Sequence, residues 1–151
     1  MINFEIRKMA HDDKADIISM MKEFYSSDAV STNGSAKIFE CDFENCINDN
    51  PYIEGFTFYN KEEIAGYAMI AKSFSTEFGK QCIWLEDLYL KPDFRGQGII
   101  PKFITHIKNS YPKAILRLEA EKENTHAMHV YKKLGFKELP YIEMKMEHTN
   151  E

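Results

Sequence analysis

The sequence predicts a mixed α/β or α+β domain built around one sheet, in the order β-α-α-β-β-β-α-β-α-β-β. Three observations carry this. An apolar strand-like run, Ile83–Leu90, passes through a glycine-bearing turn into a helical pattern. Ile17, Met20, Met21 and Phe24 recur at i, i+3, i+4, i+7, the stripe of an amphipathic helix. Short alternating runs flank both, broken by turn residues rather than by long linkers.

Taken in order, Asn3–Met9 alternates Phe4 and Ile6 with polar residues, as a strand does. His11-Asp12-Asp13 supplies a cap and first-turn acids for the helix through Phe24. Ser26–Ser35 is small and polar, with Asn33-Gly34 as a turn signal. A second helix over Ala36–Asn48 places Phe39, Phe43, Cys46 and Ile47 on one face, and Asp49-Asn50-Pro51 stops it. Tyr52–Tyr59 and Ile64–Lys72 form a hairpin across Asn60–Glu63, and Ser73–Gln81 is a polar loop. After the strand Ile83–Leu90, Lys91–Phe94 breaks the run. A helix then follows with Ile99, Phe103 and Ile107 four apart, ending at Tyr111-Pro112. Ala114–Glu121 is the next strand. Asn124 caps a helix carrying Ala127, Val130, Tyr131 and Leu134, closed by Gly135. Phe136–Leu139 and Tyr141–Glu147 complete the pattern as two short strands.

The chain of 151 residues is a single domain, 1–151, with no repeat or linker. A net charge of −5 argues against an extended nucleic-acid footprint. The three cysteines, Cys41, Cys46 and Cys82, are odd in number and lack metal-ligand spacing, as in a reducing, cytoplasmic setting. No run reaches membrane-spanning length and no apolar leader opens the chain. His126 and His129 are three apart but have no third ligand, so no metal set is expected.

Strand, glycine-rich turn and helix N-terminus is the physical recipe for holding phosphate. Glycines let the backbone approach the anion, and the free N–H groups of the first helical turn point at it. Here that stretch is Arg95-Gly96-Gln97-Gly98-Ile99-Ile100. It resembles the R-x-x-G-x-G/A acyl-CoA pyrophosphate loop of the GNAT superfamily of acetyl-CoA-dependent N-acetyltransferases. Asn124-x-x-Ala127-x-x-x-Tyr131-x-x-Leu134-Gly135-Phe136 is similar to that family's C-terminal signature. The element order is similar over nearly the whole chain. Trp84–Leu90 looks most like the diamine and polyamine acetyltransferase branch.

The resemblance implies a central mixed, mostly antiparallel sheet flanked by helices, acetyl-CoA as cosubstrate and coenzyme A as product. The acceptor would be a small-molecule primary amine, polyamine or amino-acid-like. It implies a splay between Ile83–Leu90 and Ala114–Glu121, with the pantetheine arm on the backbone of Leu88, Tyr89 and Leu90. The Leu88 N–H would then stabilise the oxyanion. Tyr131 matches the tyrosine that protonates the departing thiolate, and Asn124 would cap its helix, bond the pantetheine, or do both. Arg95 would meet phosphate or only fix its loop. In this fold Tyr25–Ser35 and Ser73–Gln81 border the acceptor cleft, so Asp28 is a candidate for greeting an ammonium group, or a plain turn residue. Members of the fold commonly dimerise, and Tyr141–Glu147 is a candidate edge for a homodimer.

Glu86 is the expected base. A primary alkylamine with a pKa near 10.4 is only about 0.1% neutral at pH 7.4, so its proton must be removed, and partial burial would make a carboxylate better suited to that. On a regular strand Asp87 would point to the opposite face, as a structural residue. Where the family pattern ends in Gly or Ala this chain has Ile100, followed by Pro101. Bulk beside the phosphates and a missing donor would weaken coenzyme A binding. That departure supports an alternative, a non-catalytic acyl-CoA-binding module. A dinucleotide-binding oxidoreductase is a further alternative: Gly96-x-Gly98 opens a helix and Glu119 lies where a ribose binder would, although Pro101 replaces the third glycine.

Overall fold

The structure is a computed structural model that describes residues 3–30 and 32–148. The elements are β1 (Phe4–Lys8), a 3₁₀ turn (His11–Asp13), α1 (Lys14–Tyr25), α2 (Ala36–Ile47), β2 (Ile53–Asn60), β3 (Glu63–Ser75), β4 (Lys80–Leu90), a second 3₁₀ turn (Pro92–Phe94), α3 (Ile99–Ser110), β5 (Ile115–Leu118) and α4 (Thr125–Lys133). The sheet runs β1-β2-β3-β4-β5. Its first four strands are antiparallel, and only β4 and β5 are parallel, joined through α3. A mixed, mostly antiparallel sheet with helices on both faces is therefore what forms. It does not contain the paired mononucleotide halves of a dinucleotide-binding oxidoreductase.

The periodicities find their cores. Ile17, Met20, Met21 and Phe24 of α1 are buried, as are Phe39 and Phe43 of α2. With Tyr67 and Met69 of β3, most of them form one apolar cluster. On the other face, Ile99, Phe103, Ile104 and Ile107 of α3 pack on Phe56, Phe58, Ile70, Ile83 and Leu85. The C-terminal end of α3 is tied down by Tyr111, whose hydroxyl donates to Glu54 at 2.6 Å, while Lys72 pairs with the same carboxylate at 3.0 Å. Burial pushes Glu54 up, but these hydrogen bonds outweigh it and hold its carboxyl below the ordinary range.

Asp13 fastens α1 to the sheet. It is 3% exposed, and its Oδ2 accepts the Ala10 N–H at 2.9 Å and the Thr57 hydroxyl at 3.0 Å; its Oδ1 accepts the Tyr59 hydroxyl. Truncation would leave all three donors unpaired. Asp13→Ala is expected to cost about 2–3 kcal/mol of stability, read as a lower denaturation midpoint with an unchanged m-value.

Three expectations are corrected. Ser73–Gln81 is mostly not a loop: Ser73, Phe74 and Ser75 pair with Cys82, Gln81 and Lys80, and only four residues turn the chain, with Gly79 at φ 64°. Backbone pairing extends the hairpin past its apolar part because the ladder needs no apolar side chains. The strand expected over Ala114–Glu121 is confined to Ile115–Leu118, the length over which β4 offers a partner. Phe136–Leu139 and Tyr141–Glu147 do not form strands. Alternation alone makes no strand where no neighbouring strand supplies hydrogen bonds, and Ile142, Met144 and Met146 stand 90%, 92% and 96% exposed.

Candidate active site

β4 changes partner and face at one residue. Its parallel ladder with β5 covers Cys82 to Leu85 and stops, whereas β4 itself runs on to Leu90. On its other side Leu85 pairs with Ile70 and Asp87 with Met69, which leaves Glu86 as an extra residue in a β-bulge. The bulge inverts the facing of everything after it. Ile83 and Leu85 point to the core under α3, and so do Leu88 and Leu90. Asp87 and Tyr89 point to the other side, toward Tyr67 and α1. A regular strand would have put Asp87 in the α3 core. The regular strand on which Asp87 would face away from Glu86 is thus not what forms, and Tyr25 and Asp42 feel the charges of both.

Asp87 is 3% exposed. Its Oδ1 accepts from the Tyr25 hydroxyl at 2.8 Å and its Oδ2 from the Tyr67 hydroxyl at 2.7 Å. Burial pushes its pKa up, and the two phenol hydrogen bonds oppose that. Glu86 is solvent-accessible but sits in an anionic neighbourhood. Partial desolvation, then Asp87, then Glu143 raise its pKa. Asp42 of α2 is pushed up to about 6 by burial, then by Asp87 and Glu86. Glu119, just past β5, is raised to about 7 by burial, by a hydrogen bond and charge from Glu143, and by Glu86. Carboxylates from α2, β4, the end of β5 and the C-terminal segment thus lie near enough to raise one another's pKa, an anionic neighbourhood suited to a cationic acceptor.

Where β5 departs, backbone groups of β4 lose their partner. The Lys91 N–H donates to Ala65 of β3 at 2.8 Å, so by alternation the groups of Leu88 and Leu90 face the open side. The Leu90 carbonyl is already taken by Arg95 Nε at 2.9 Å, and the guanidinium lies 5.7 Å from the centre of the Tyr89 ring. Arg95 thus fixes its own turn.

Gly96 and Gly98 have φ of 74° and 84°, and Gly98 caps α3 from that left-handed conformation with no side-chain hydrogen bond. A Cβ at either glycine would meet nothing within 4 Å, so glycine is needed for the backbone angle, and the cradle is open. The Ile99 and Ile100 N–H groups at the start of α3 have no intrahelical partner. Gln97 braces the turn through Nε2 to the Asp93 carbonyl at 2.9 Å, and its Oε1 is buried without a partner. Ile99 is 1% exposed, and Ile100 packs on the same core. Part of the Ile100 side chain is thus held against the core. These features fit an acyl-CoA: an open backbone edge for its amide arm and an unfilled helix start for its phosphates.

Tyr131 on α4 is half-buried. Among the described residues its hydroxyl has no hydrogen-bond partner, and burial alone raises its pKa. Its ring meets Phe136 edge-on at 6.0 Å between centroids. Asn124 caps α4, its Oδ1 accepting the Ala127 N–H at 3.2 Å. Asp28 lies in an exposed turn beyond α1 and bonds no other described residue. Among the described residues no three His, Cys, Asp or Glu side chains are grouped to hold a metal ion, and no helix is long and apolar enough to cross a membrane.

Sequence reasoning missed Asp42, Tyr25 and Tyr67. Asp42 carried a signal: at i+3 from Phe39 and i−4 from Cys46, it lies within the apolar stripe of α2, an odd place for a charge. Tyr25 and Tyr67 look like ordinary core aromatics, and nothing in the sequence marks their hydroxyls as partners of Asp87.

Residues 17–136 match the model of the acetyltransferase (GNAT) family. The thialysine N-epsilon-acetyltransferase of Bos taurus is 40% identical over 83 residues, covering 53% of this chain and 48% of that protein. The chain therefore spans about half the length of that relative. The Caenorhabditis elegans protein of the same name is 30% identical over 122 residues, 79% of this chain and 72% of its own. Among solved structures, the aminoglycoside acetyltransferase AAC(6')-Iy in complex with a CoA bisubstrate analogue superposes with a TM-score of 0.79 at 16% identity, covering 97% of this chain and 99% of that one. A predicted acetyltransferase from Clostridium acetobutylicum, solved with acetyl-CoA, gives a TM-score of 0.75 at 22% identity, covering 95% and 96%.

Proposed function

Because this chain belongs to the GNAT acetyltransferase family, we propose that it moves the acetyl group of acetyl-CoA to a primary amine of a small molecule, a polyamine or an amino-acid-like compound. The observation that carries the reading is the bulge at Glu86: it sets a carboxylate of raised pKa at the point where β4 parts from β5.

Bound acetyl-CoA would supply an acetyl thioester whose C–S bond breaks as the N–C bond forms. Glu86, directly or through a water, takes the proton that the ammonium group must lose, freeing the nitrogen lone pair. The Leu88 N–H, on the open edge, is placed to donate to the carbonyl oxygen as negative charge gathers there. Tyr131 gives its proton to the leaving sulfur and is reprotonated by the proton that the new amide nitrogen sheds. One proton goes to solvent per amide formed. Gly96, Gly98, Ile99 and Ile100 would hold the pyrophosphate through backbone N–H groups, and Leu88, Tyr89 and Leu90 would flank the pantetheine, with the Leu90 carbonyl reserved for Arg95. Asn124 has its amide nitrogen left over from capping for the same arm. Asp28, a more distant candidate, would attract the acceptor only electrostatically. Amine-dependent release of coenzyme A thiol tests the reading.

The same reading takes the protein to work in the cytoplasm, which fits its free cysteines. It also favours a homodimer. The unpaired segment Tyr141–Glu147 presents Ile142, Met144 and Met146 to solvent in strand alternation, beside a free β5 edge. Sedimentation velocity is expected to give a dimer that Met144→Lys dissociates; a monomeric parent protein would refute the assignment.

A further inference from the structure

We propose that Asp87 is a positioning residue for the acetyl transfer: a buried, fixed negative charge that makes Glu86 a stronger base. The inference rests on Glu86 being the base, and adds what sets its strength.

Two hydrogen bonds first favour the carboxylate form of Asp87, against the burial that pushes its pKa up. Each carboxylate oxygen accepts a hydrogen bond from a different phenol on a different element, Tyr25 at the end of α1 and Tyr67 in the middle of β3. A carboxyl group that accepts at both oxygens has no need of its own proton. Both tyrosines are held neutral, burial and then the Asp87 charge driving their pKa values up, so they remain donors. No lysine, arginine or histidine of the described residues pairs with Asp87. Burying an uncompensated charge is costly, and two tyrosines could be satisfied by a neutral acceptor. Architecture alone does not call for a carboxylate there.

The bulge then delivers that charge to Glu86. Without the extra residue Asp87 would sit in the α3 core; with it, Asp87 turns to the α1–α2 side next to the bulged Glu86, and both charges reach Tyr25 and Asp42. The groups facing the pair are Tyr25 from α1, Asp42 from α2, Tyr67 from β3, Glu119 beyond β5 and Glu143 from the C-terminal segment. These are anionic or neutral; a cation on that face, Arg117 of β5, lies over the Trp84 ring at 4.6 Å, and no cation among the described residues pairs with Asp87. Asp42 responds to the same field, since Asp87 follows burial as the cause of its upward shift. A proton on Glu86 relieves the repulsion, so the group holds it more strongly than a lone carboxylate would.

The test is the pH profile of kcat/KM for the amine at saturating acetyl-CoA, whose acid limb reports the base of the free enzyme. Asp87→Asn keeps the shape and removes the charge. The limb is expected to move to lower pH by about one unit, with a lower plateau because the base is weaker. Tyr25→Phe removes one of the two donors, lets Asp87 neutralise more easily, and is expected to move the limb the same way by less. If Asp87→Asn does not unfold cooperatively, the Tyr25→Phe profile decides. A limb that stays in place while kcat falls uniformly would overturn the inference and leave Asp87 an anchor for two tyrosines. Glu86→Gln separates the two layers. If it abolishes the limb, the base assignment holds and the Asp87 result stands by itself; if the limb persists there, the base assignment has failed.

Discussion

Glu86→Gln is expected to lower kcat for a primary alkylamine about 10²- to 10⁴-fold while acetyl-CoA binding is unchanged. Glutamine preserves size and shape at an exposed bulge position, so neither the core under α3 nor the anion cradle at Gly96–Gly98 is disturbed. What is lost is a proton acceptor. Desolvation, Asp87 and Glu143 all raise the pKa of Glu86, so the acid limb of the parent enzyme lies above the ordinary carboxylate range. Below the limb Glu86 is protonated and cannot take the ammonium's proton; above it the carboxylate is available. Single-turnover and steady-state rates with one amine across pH check this. Turnover that survives the substitution at every pH would remove Glu86 from the mechanism.

Tyr131→Phe is expected to cost about 10²- to 10³-fold in kcat, with little change in KM and with thermal stability equal to or above that of the parent. The unusual pairing follows from the partnerless hydroxyl. Among the described residues nothing hydrogen-bonds to it, so its removal breaks no bond within the protein. The ring and its edge-on contact with Phe136 remain. A core tyrosine of purely structural use would show the reverse, unchanged kcat and a lower melting temperature. Calorimetric melting with parallel kinetics distinguishes the two.

Much of this was legible in the sequence because it depends on local patterns. The run from Ile83 to Ile107 fixes strand, turn and helix through side-chain period and two glycines, and the Asn124 cap lies where its spacing puts it. The bulge was not legible. One extra residue in a ladder leaves no compositional mark, yet it turned Asp87 out of the α3 core and toward Tyr25 and Tyr67. Asp42 and Glu119 come within the influence of Glu86 only through tertiary folding. The segment Tyr141–Glu147 failed in the other direction: its alternation is that of a strand, but strand pairing is non-local, and the segment does not join the ladder of β1 to β5. Ile100 packs partly on the core under α3, while Pro101 follows it in the first turn of α3 as the sequence has it.

Acetyl transfer itself is tested most directly by following coenzyme A thiol release from acetyl-CoA with the parent protein, with and without a series of diamines, polyamines and lysine-like amines. Release that depends on amine, saturates, and moves an acetyl group onto the acceptor by mass is the predicted result. Saturable acetyl-CoA binding with no amine-dependent release for any acceptor would contradict it, and would make this a binding module built on an acetyltransferase fold.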